Sequence, residues 1–268
     1  MEINIYSMKH LKLFESFEIT EPIKYGNPLN NKEINFLKGY NVMCPEWILK
    51  DDNYYYIFDH RCENIKDVPL TYIHGVCKEY EIVNYTINDD YTIDVDGDIY
   101  MGNKGLSKIP LKFNIVIGYF DCSDNMLSTL ISGPEYVRGY FDCSNNELTT
   151  LEGSPKSGGS FYCSSNLLTT LKGGPDYVGG DFECHHNQLT TLKGGPEYVC
   201  GIFSCSDNQL TTLKGSPKTI GYNFYCDANE LTTLEGGPES VGGDFYCDDN
   251  PLTSVEYKGI IKGKLIYK

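Results

Sequence analysis

The sequence has no run of about 18 consecutive apolar residues, the length needed to span a bilayer. Its opening stretch, MEINIYSMKHLKLFESFE, also lacks the continuous apolar core of a secretory signal. Basic residues are scarce, with 22 Lys and Arg against 37 Asp and Glu and a formal net charge of -15. Such a charge opposes the phosphate neutralisation on which nucleic-acid binding depends. We therefore expect a soluble protein that contacts neither membrane nor nucleic acid directly.

A C-x-x-C pair, the spacing typical of structural zinc sites, is also missing. The run of Asp94, Asp96 and Asp98 does not have the spacing of a calcium-binding EF-hand loop and suits a solvated hairpin. Cys200 and Cys205 form a close pair of cysteines, but Cys200 stands where other units carry Gly or Arg, which favours a chance substitution. We expect neither a metal nor another cofactor.

A repeat fills most of the remaining sequence. Seven of the 11 cysteines recur every 21 residues, apart from one step of 20. A fixed period of this kind indicates stacked supersecondary units. Phenylalanine stands two residues before each of these cysteines and asparagine three residues after it. The cysteines are Cys122, Cys143, Cys163, Cys184, Cys205, Cys226 and Cys247; the phenylalanines are Phe120, Phe141, Phe161, Phe182, Phe203, Phe224 and Phe245; the asparagines are Asn125, Asn146, Asn166, Asn187, Asn208, Asn229 and Asn250.

The spacing within one unit predicts a short strand with one buried face. Phe and Cys at positions i and i+2 point to the same side of a strand, and the residues between them point to the other side. The asparagine amide can turn the chain and bond to the backbone of neighbouring coils. Gly and Pro then carry the chain around the outside of the coil. We place the residue missing from the shorter unit between Ser157 and Gly158, as a lost valine.

This pattern resembles the leucine-rich repeat, whose L-x-x-L-x-L-x-x-N-x-L core maps onto x-x-F-x-C-x-x-N-x-L here, over residues 99–255. The format of about 20 residues per unit is typical of short bacterial repeats. The resemblance implies a β-rich solenoid of parallel strands. Phe and Cys replace two leucines, and no helices are indicated on the convex side.

A second resemblance concerns origin. NYTIN, IDVDGDIYM and the F-x-C-x-x-N repeats that follow are similar to leucine-rich-repeat proteins of large tailed bacteriophages. MKHLKLFESFE, from Met8, looks like the start of many proteins encoded by such phages, so Met8 is an alternative first residue. The resemblance implies a viral origin and does not fix a biochemical role. Action inside the infected cell would agree with the missing export signal.

Two domains are predicted. Residues 1–95 lack the repeat and are expected to form a small α/β domain that caps or docks the solenoid of residues 96–268. Within 1–95, residues 7–18 and Val68–Tyr80 have the apolar spacing of helices. A hairpin is predicted about Asp96-Gly97. The apolar residues of the helix over 7–18 are Leu11, Leu13, Phe14 and Phe17.

Both ends of the solenoid show degenerate copies of the repeat. Ile99 and Met101 continue the Phe and Cys register one period upstream, with Lys104 in the place of the asparagine. Leu265 and Tyr267 have the same spacing downstream. We therefore predict an irregular first coil and a closing strand.

Cys184, His185 and His186 form the one cluster of catalytic residue types inside the repeat. A nucleophile needs a base within hydrogen-bond reach and a third group to orient that base. An inward thiol beside an outward imidazole does not supply this arrangement. We therefore expect the cluster to be structural and the protein not to be an enzyme.

The outward residues of the strands are the candidate binding site. Lys and Arg are missing from these positions through all seven units, whereas Lys172, Lys193 and Lys214 recur elsewhere in the repeat. Tyrosine supplies contact area at low entropic cost, and carboxylates pair with cations. The alternative is that any strand surface is polar and that tyrosine suits strands. The candidate residues are Tyr119, Asp121, Tyr140, Asp142, Tyr162, Asp181, Glu183, His185, Tyr225, Asp227, Asp244, Tyr246 and Asp248.

Three functions are compatible with these features. The first is a non-enzymatic module that binds a basic protein surface in the host cell cytoplasm. The second is a capsid- or tail-associated protein of the virion, docked through residues 1–95. The third is an acidic mimic of nucleic acid that inhibits a host defence enzyme.

Overall fold

The structure is a computed structural model that describes Tyr25–Pro28, Trp47–Lys50, Asn53–Ile57 and residues 68–268. The chain divides into two compact units, Met1–Val68 and Pro69–Lys268. No helix in the described stretches is both long and apolar enough to span a bilayer. The capping or docking role of residues 1–95 stays a prediction.

The first unit contains a three-stranded antiparallel sheet. Its strands are β1 (Tyr25–Pro28), β2 (Trp47–Lys50) and β3 (Asn53–Ile57), in the order β1-β3-β2. Aromatic and β-branched residues favour such extended segments. The helix predicted over residues 7–18 lies outside the described residues.

Helix α1, Val68–Glu79, confirms the helix predicted over Val68–Tyr80. Proline as the second residue is compatible with a helix because the first-turn N–H groups have no partner within the helix. Ile73, Val76 and Cys77 are buried, which gives the helix one apolar face.

The second unit is a parallel β-solenoid with coils of about 21 residues and very little helix, as predicted. Every complete coil has two short strands, not the one that the repeat suggested. The strands of the solenoid and its entry are β4 (Tyr85–Ile87), β5 (Ile93–Val95), β6 (Ile99–Tyr100), β7 (Phe113–Val116), β8 (Phe120–Asp121), β9 (Tyr136–Val137), β10 (Phe141–Asp142), β11 (Lys156–Ser157), β12 (Phe161–Tyr162), β13 (Tyr177–Val178), β14 (Phe182–Glu183), β15 (Tyr198–Val199), β16 (Phe203–Ser204), β17 (Thr219–Ile220), β18 (Phe224–Tyr225), β19 (Ser240–Val241), β20 (Phe245–Tyr246), β21 (Ile260–Ile261) and β22 (Leu265–Ile266).

The even-numbered strands from β6 to β22 form one nine-stranded parallel sheet. Equivalent residues pair in register, so that the seven phenylalanines stack with ring centroids 4.6–5.6 Å apart. All seven rings and all seven repeat cysteines are 0% exposed. Each buried phenylalanine contributes roughly 1.5–3 kcal/mol, so this inward column is a main source of stability.

The other strands of the coils form two further sheets. One has the order β11-β9-β7-β5-β4 and the other β13-β15-β17-β19-β21. Their inward residues, such as Val137 and Val178, are fully buried opposite the phenylalanine column. The segment after each repeat proline is therefore a strand, not only the outer connection that the sequence suggested.

The shorter unit separates these two sheets. Ser157 in β11 lies opposite Val137 in β9, so Ser157 itself fills the valine position. Placing the missing residue between Ser157 and Gly158 was therefore wrong, because the gap precedes Ser157. Ser157 is only 5% exposed, and its hydroxyl donates to the carbonyls of Gly159 at 3.3 Å and Ser160 at 3.4 Å.

The asparagines bond neighbouring coils together. Nδ2 of Asn146 donates to the carbonyls of Cys122 at 3.0 Å, Cys143 at 3.1 Å and Ser144 at 3.2 Å. Its Oδ1 accepts the N–H of Leu127 in the preceding coil at 2.9 Å. The residue before each asparagine has a left-handed backbone conformation, with φ between 49 and 54°. The turn at this point is therefore the same in every coil.

The two ends of the solenoid follow the prediction only in part. β6 is the strand of the irregular first coil and pairs with β8. The closing strand β22 pairs with β20. The predicted hairpin about Asp96-Gly97 is wrong, because β5 and β6 belong to different sheets. The antiparallel pair is β4 with β5, and its turn lies at residues 88–92.

Candidate protein-binding face

The outward side of the nine-stranded sheet carries three columns of side chains, which together we call the strand face. The columns lie one residue before, one residue after and three residues after each inward phenylalanine. Most of these side chains are partly buried by their neighbours in the coils above and below. The first column holds Tyr119, Tyr140, Ser160, Asp181, Ile202, Asn223 and Asp244; the second holds Asp121, Asp142, Tyr162, Glu183, Ser204, Tyr225 and Tyr246; the third holds Ser123, Ser144, Ser164, His185, Ser206, Asp227 and Asp248.

Tyrosines of adjacent coils stack on this face. The rings of Tyr119 and Tyr140 are parallel with centroids 4.3 Å apart, and those of Tyr225 and Tyr246 are 4.6 Å apart. The ring of Tyr162 lies 6.0 Å from that of Tyr140 and is tilted against it. Because stacking fixes the rings, they can contact a partner at little further cost in side-chain entropy.

Two of the predicted acidic residues accept a backbone N–H of the following coil. Oδ1 of Asp181 accepts the N–H of Ile202 at 2.7 Å, and Oδ1 of Asp244 accepts that of Lys264 at 2.8 Å. Each bond joins one coil to the next at a corner of the solenoid. These two aspartates therefore have a structural role that the sequence alone did not reveal.

The aspartates of the second column are held close together. Asp121 and Asp142 lie side by side in the register of β8 and β10. Each accepts the backbone N–H of the serine two residues later at 2.9 Å, Ser123 and Ser144 respectively. Burial raises the pKa of the Asp142 carboxyl, and the charge of Asp121 raises it further, although the bonds from Ser144 act in the opposite direction. A cation beside these two carboxylates would favour the charged form of Asp142 and so offset both increases in its pKa.

Glu183 completes an acidic depression in the middle of the face. Burial raises the pKa of its carboxyl, and the charges of Asp181 and Asp142 add to the increase. Tyr162 lies between Asp142 and Glu183 in the second column. The depression has a volume of about 320 Å³. Its lining residues are Asp142, Ser144, Asn145, Tyr162, Ser164, Ser165, Glu183 and His185.

The third column is more strongly hydrogen-bonded. Ser164 and Nδ1 of His185 are 3.0 Å apart, and the Ser206 hydroxyl donates to Asp227 at 2.6 Å. Burial lowers the pKa of the His185 imidazole, and the neighbouring His186 lowers it further. His185 is therefore mainly neutral on this face near pH 7.

Cys184, His185 and His186 do not form a catalytic relay. Cys184 is fully buried, and its thiol donates to the carbonyl of Ser204 at 3.3 Å. Burial raises the pKa of that thiol well above its ordinary value. His186 is exposed at the left-handed turn, with Nδ1 3.5 Å from Oδ2 of Asp207. The imidazoles and the thiol lie on opposite sides of the strand.

Two aspartates of the acidic run before the solenoid bond to the next coil. Oδ1 of Asp94 accepts the side-chain N–H of Asn114 at 2.7 Å and the backbone N–H of Ile115 at 3.2 Å, and Oδ1 of Asp98 accepts the backbone N–H of Tyr119 at 2.9 Å. Within residues 68–268 and the three described strands of the first unit, no group of three or more His, Cys, Asp or Glu side chains is placed to hold a metal ion.

Cys200 differs from the cysteines of the repeat. It is exposed, whereas Cys205 is buried, so the two do not form a pair. The hydroxyl of Tyr177 lies 3.2 Å from the Cys200 sulfur. Cys200 lies on the surface beside the second strand of its coil.

A second aromatic surface was missed at the sequence level. Tyr136, Tyr177 and Tyr198 are 38%, 52% and 45% exposed on the outer side of the second strands. Nζ of Lys218 lies 5.8 Å from the ring centre of Tyr198 and forms an ion pair with Glu197. The recurring P-x-Y-V spacing was the available signal. It was not used because these residues were assigned to outer connections.

Charge is segregated between surfaces of the solenoid. The strand face contains no lysine or arginine from residue 119 to 248. Lys172, Lys193 and Lys214 are exposed at the position after the second repeat leucine, where Lys172 pairs with Glu152 at 2.7 Å. The acidic face is therefore not neutralised by the lysines of the repeat.

Comparison with known proteins gives no assignment. No protein-family model matches this chain, and no curated protein matches it at a significant level.

Proposed function

We propose that this protein is a non-enzymatic binding module whose strand face takes a basic surface of a partner protein. The observation that carries this proposal is the combination of stacked tyrosines and close-set carboxylates on the strand face, whose three columns contain no lysine or arginine. Rigid aromatic anchors and complementary charge are what a specific protein interface requires.

The acidic depression is the centre of the proposed contact. Burial raises the pKa of both the Asp142 and the Glu183 carboxyl, and the charges of neighbouring acidic residues raise it further, so the folded protein keeps two charges in an unfavourable place. A lysine or arginine side chain of the partner would offset that cost. Tyr162, between them, offers a ring face for the same cation.

The test is a charge reversal at three places on the strand face. Wild-type protein, the variant Asp142→Lys with Glu183→Lys and Asp227→Lys, and a control variant are used to capture proteins from a bacterial lysate. The control, Glu147→Lys with Glu230→Lys and Glu256→Lys, makes the same change in net charge at exposed positions away from the face. Captured proteins are identified by mass spectrometry and titrated by calorimetry.

We expect the same protein to be retained by the wild type and the control and lost by the strand-face variant. Melting temperatures measured on all three proteins separate loss of binding from loss of folding. If the strand-face variant is folded and retains every protein that the wild type retains, the proposal is wrong.

The same proposal includes the type of protein and the place where it acts. A leucine-rich-repeat protein of the short bacterial or tailed-bacteriophage type, acting on a protein of the infected cell, agrees with the solenoid and its acidic face. Mass spectrometry of purified phage particles tests the alternative of a virion component, because a structural protein would be present in stoichiometric amounts. Competition by DNA for the captured partner tests the alternative of a nucleic-acid mimic.

A further inference from the structure

His185 is part of the lining of the acidic depression on the strand face. Its side chain is 31% exposed and that of Glu183 is 33% exposed, so both are half-buried and still in contact with solvent. Nδ1 of His185 lies 3.7 Å from Oε2 of Glu183 and 3.0 Å from the hydroxyl oxygen of Ser164. The imidazole therefore stands where a cationic side chain of a partner would approach Glu183.

Titratable groups face His185 from its own coil and from the coils on both sides. Four of them are carboxylates, one is a phenol and one is a second imidazole, whose ring centroid lies 5.1 Å from that of His185. The three columns of the described strand face contain no lysine or arginine, so a protonated His185 would be the one cation in them. The groups are Asp142 and Tyr162 in the preceding coils, Glu183 and His186 in the same coil, and Asp207 and Asp227 in the following coils.

The charge of His185 changes within a moderate pH range. Burial lowers the pKa of the His185 imidazole, and the charge of His186 lowers it further. The carboxylates of Asp207 and Asp227 act on this pKa in the opposite direction. Since an ordinary imidazole has a pKa of about 6.5, His185 is neutral near pH 7 and takes up its proton in mildly acidic solution.

We propose that His185 makes the strand face a pH-dependent binding site. In its neutral form it leaves Asp142 and Glu183 accessible to a lysine or arginine side chain of the partner. In its protonated form it supplies the cation beside Glu183 itself and repels the incoming one, so that the partner is released at acidic pH. This inference rests on the proposed function and adds a means of regulating the same site.

The test uses fluorescence anisotropy with the full chain and the labelled peptide Gly-Arg-Gly-Arg-Gly-Arg-Gly. Arginine keeps its charge throughout, so a change in affinity with pH comes from the protein. We expect the peptide to bind at least about fivefold more weakly at about pH 5 than at about pH 7.5.

Two substitutions separate the imidazole from the carboxyls. His185→Gln is neutral at both pH values and should lose most of the pH dependence. Any dependence that remains measures protonation of Asp142 and Glu183, whose pKa values are raised. His186→Gln is the matched control, because His186 is exposed at the turn and outside the lining of the depression, and it should keep the loss of affinity. Melting temperatures at both pH values show whether each variant is folded.

A second measurement needs no variant for its result. If protonation of His185 and binding of the peptide oppose each other, the effect must be reciprocal. A saturating amount of peptide should therefore move the NMR titration of the His185 ring to lower pH, and move that of His186 less. The spectrum of His185→Gln assigns the two rings.

The possible failures of the inference and of the proposed function differ. An affinity that does not change with pH, or an equal weakening in the wild type and in folded His185→Gln, overturns the inference and leaves the proposed function standing. A His185 titration that bound peptide does not move overturns it as well. Absence of binding at about 1 mM peptide at both pH values contradicts the proposed function itself, and the inference then falls with it.

Discussion

At the scale of single residues, the asparagine of each coil satisfies backbone groups that no strand can reach. The turn after the first strand leaves carbonyls and an N–H group inside the stack, where water is excluded. Asn187 donates to the carbonyls of Cys163, Cys184 and His185 and accepts the N–H of Leu168. One side chain therefore replaces several missing backbone partners.

We expect Asn187→Ala to reduce the free energy of unfolding by about 3 kcal/mol or more, because several buried groups lose their partner at once. Gln188→Ala, one residue further on and exposed, should have little effect. Chemical denaturation of both variants measures the difference. Equal stabilities would show that the asparagine amide does not hold the coils together.

The carboxylates of the strand face act in the opposite direction on stability. A carboxyl whose pKa is higher in the folded than in the unfolded protein opposes folding at neutral pH, and that opposition fades as the pH falls through the raised value. Asp142 and Glu183 both have raised pKa values, mainly because they are partly buried. The strand face thus carries charges that weaken the fold at neutral pH, which is compatible with the binding role proposed for it.

Asp142→Asn should therefore raise the melting temperature at about pH 7 and change it less at about pH 4. Glu152→Gln is the matched control, because its neighbour Lys172 lowers the pKa of that carboxyl. The control should lower or not change the melting temperature at about pH 7. Thermal scans at both pH values check this, and a shift of the same sign in both variants would contradict it.

At the scale of secondary-structure elements, the sequence was most informative where one residue type recurs on one face. The Phe and Cys spacing predicted the first strand of each coil and its inward side chains, because side-chain direction in a strand follows from its period of two. The second strand was not predicted. From β9 to β21 it is two residues long, with a single inward residue that is valine or isoleucine except at Ser157, and such a strand is too short to show alternation.

The same limit explains the error at the shorter unit. Alignment of the repeat sequences placed the gap at the expected valine. Strand register depends instead on which side chain points inward, and Ser157 occupies the inward position. Among the site residues, the outward direction of the acidic columns was predictable. The bonds of Asp181 and Asp244 to the next coil were not, because they join residues about one period apart through the coil geometry.

Ser157 is consequently a point at which the core can be improved. We expect Ser157→Val to raise the free energy of unfolding by about 1 kcal/mol, because it restores the apolar contact that Val137 and Val178 make in adjacent coils. Thr190→Val at an exposed position is the control. Denaturation of both proteins measures the effect, and a less stable Ser157→Val would mean that the shorter coil has no room for the larger side chain.

At the scale of the second unit, one side of the nine-stranded sheet forms the buried core and the other side is the surface for which we propose a binding role. Benzyl groups and thiols form the inward column, and tyrosines and carboxylates form the strand face. The inward thiols are also bonded, since six of the seven donate to a carbonyl of the following coil at 3.2–3.5 Å. A partner on the strand face would meet a surface whose positions are fixed by the core behind it.

The most direct test of this division is alkylation of the native protein by iodoacetamide, followed by peptide mapping. Burial raises the pKa of the repeat thiols and shields them, so they should remain unmodified until denaturant unfolds the coils. Cys200, which is exposed, should react in the native state. Modification of Cys143, Cys163 or Cys205 at a rate similar to that of Cys200 in the folded protein would contradict the inward column and, with it, the assignment of the opposite side as the binding face.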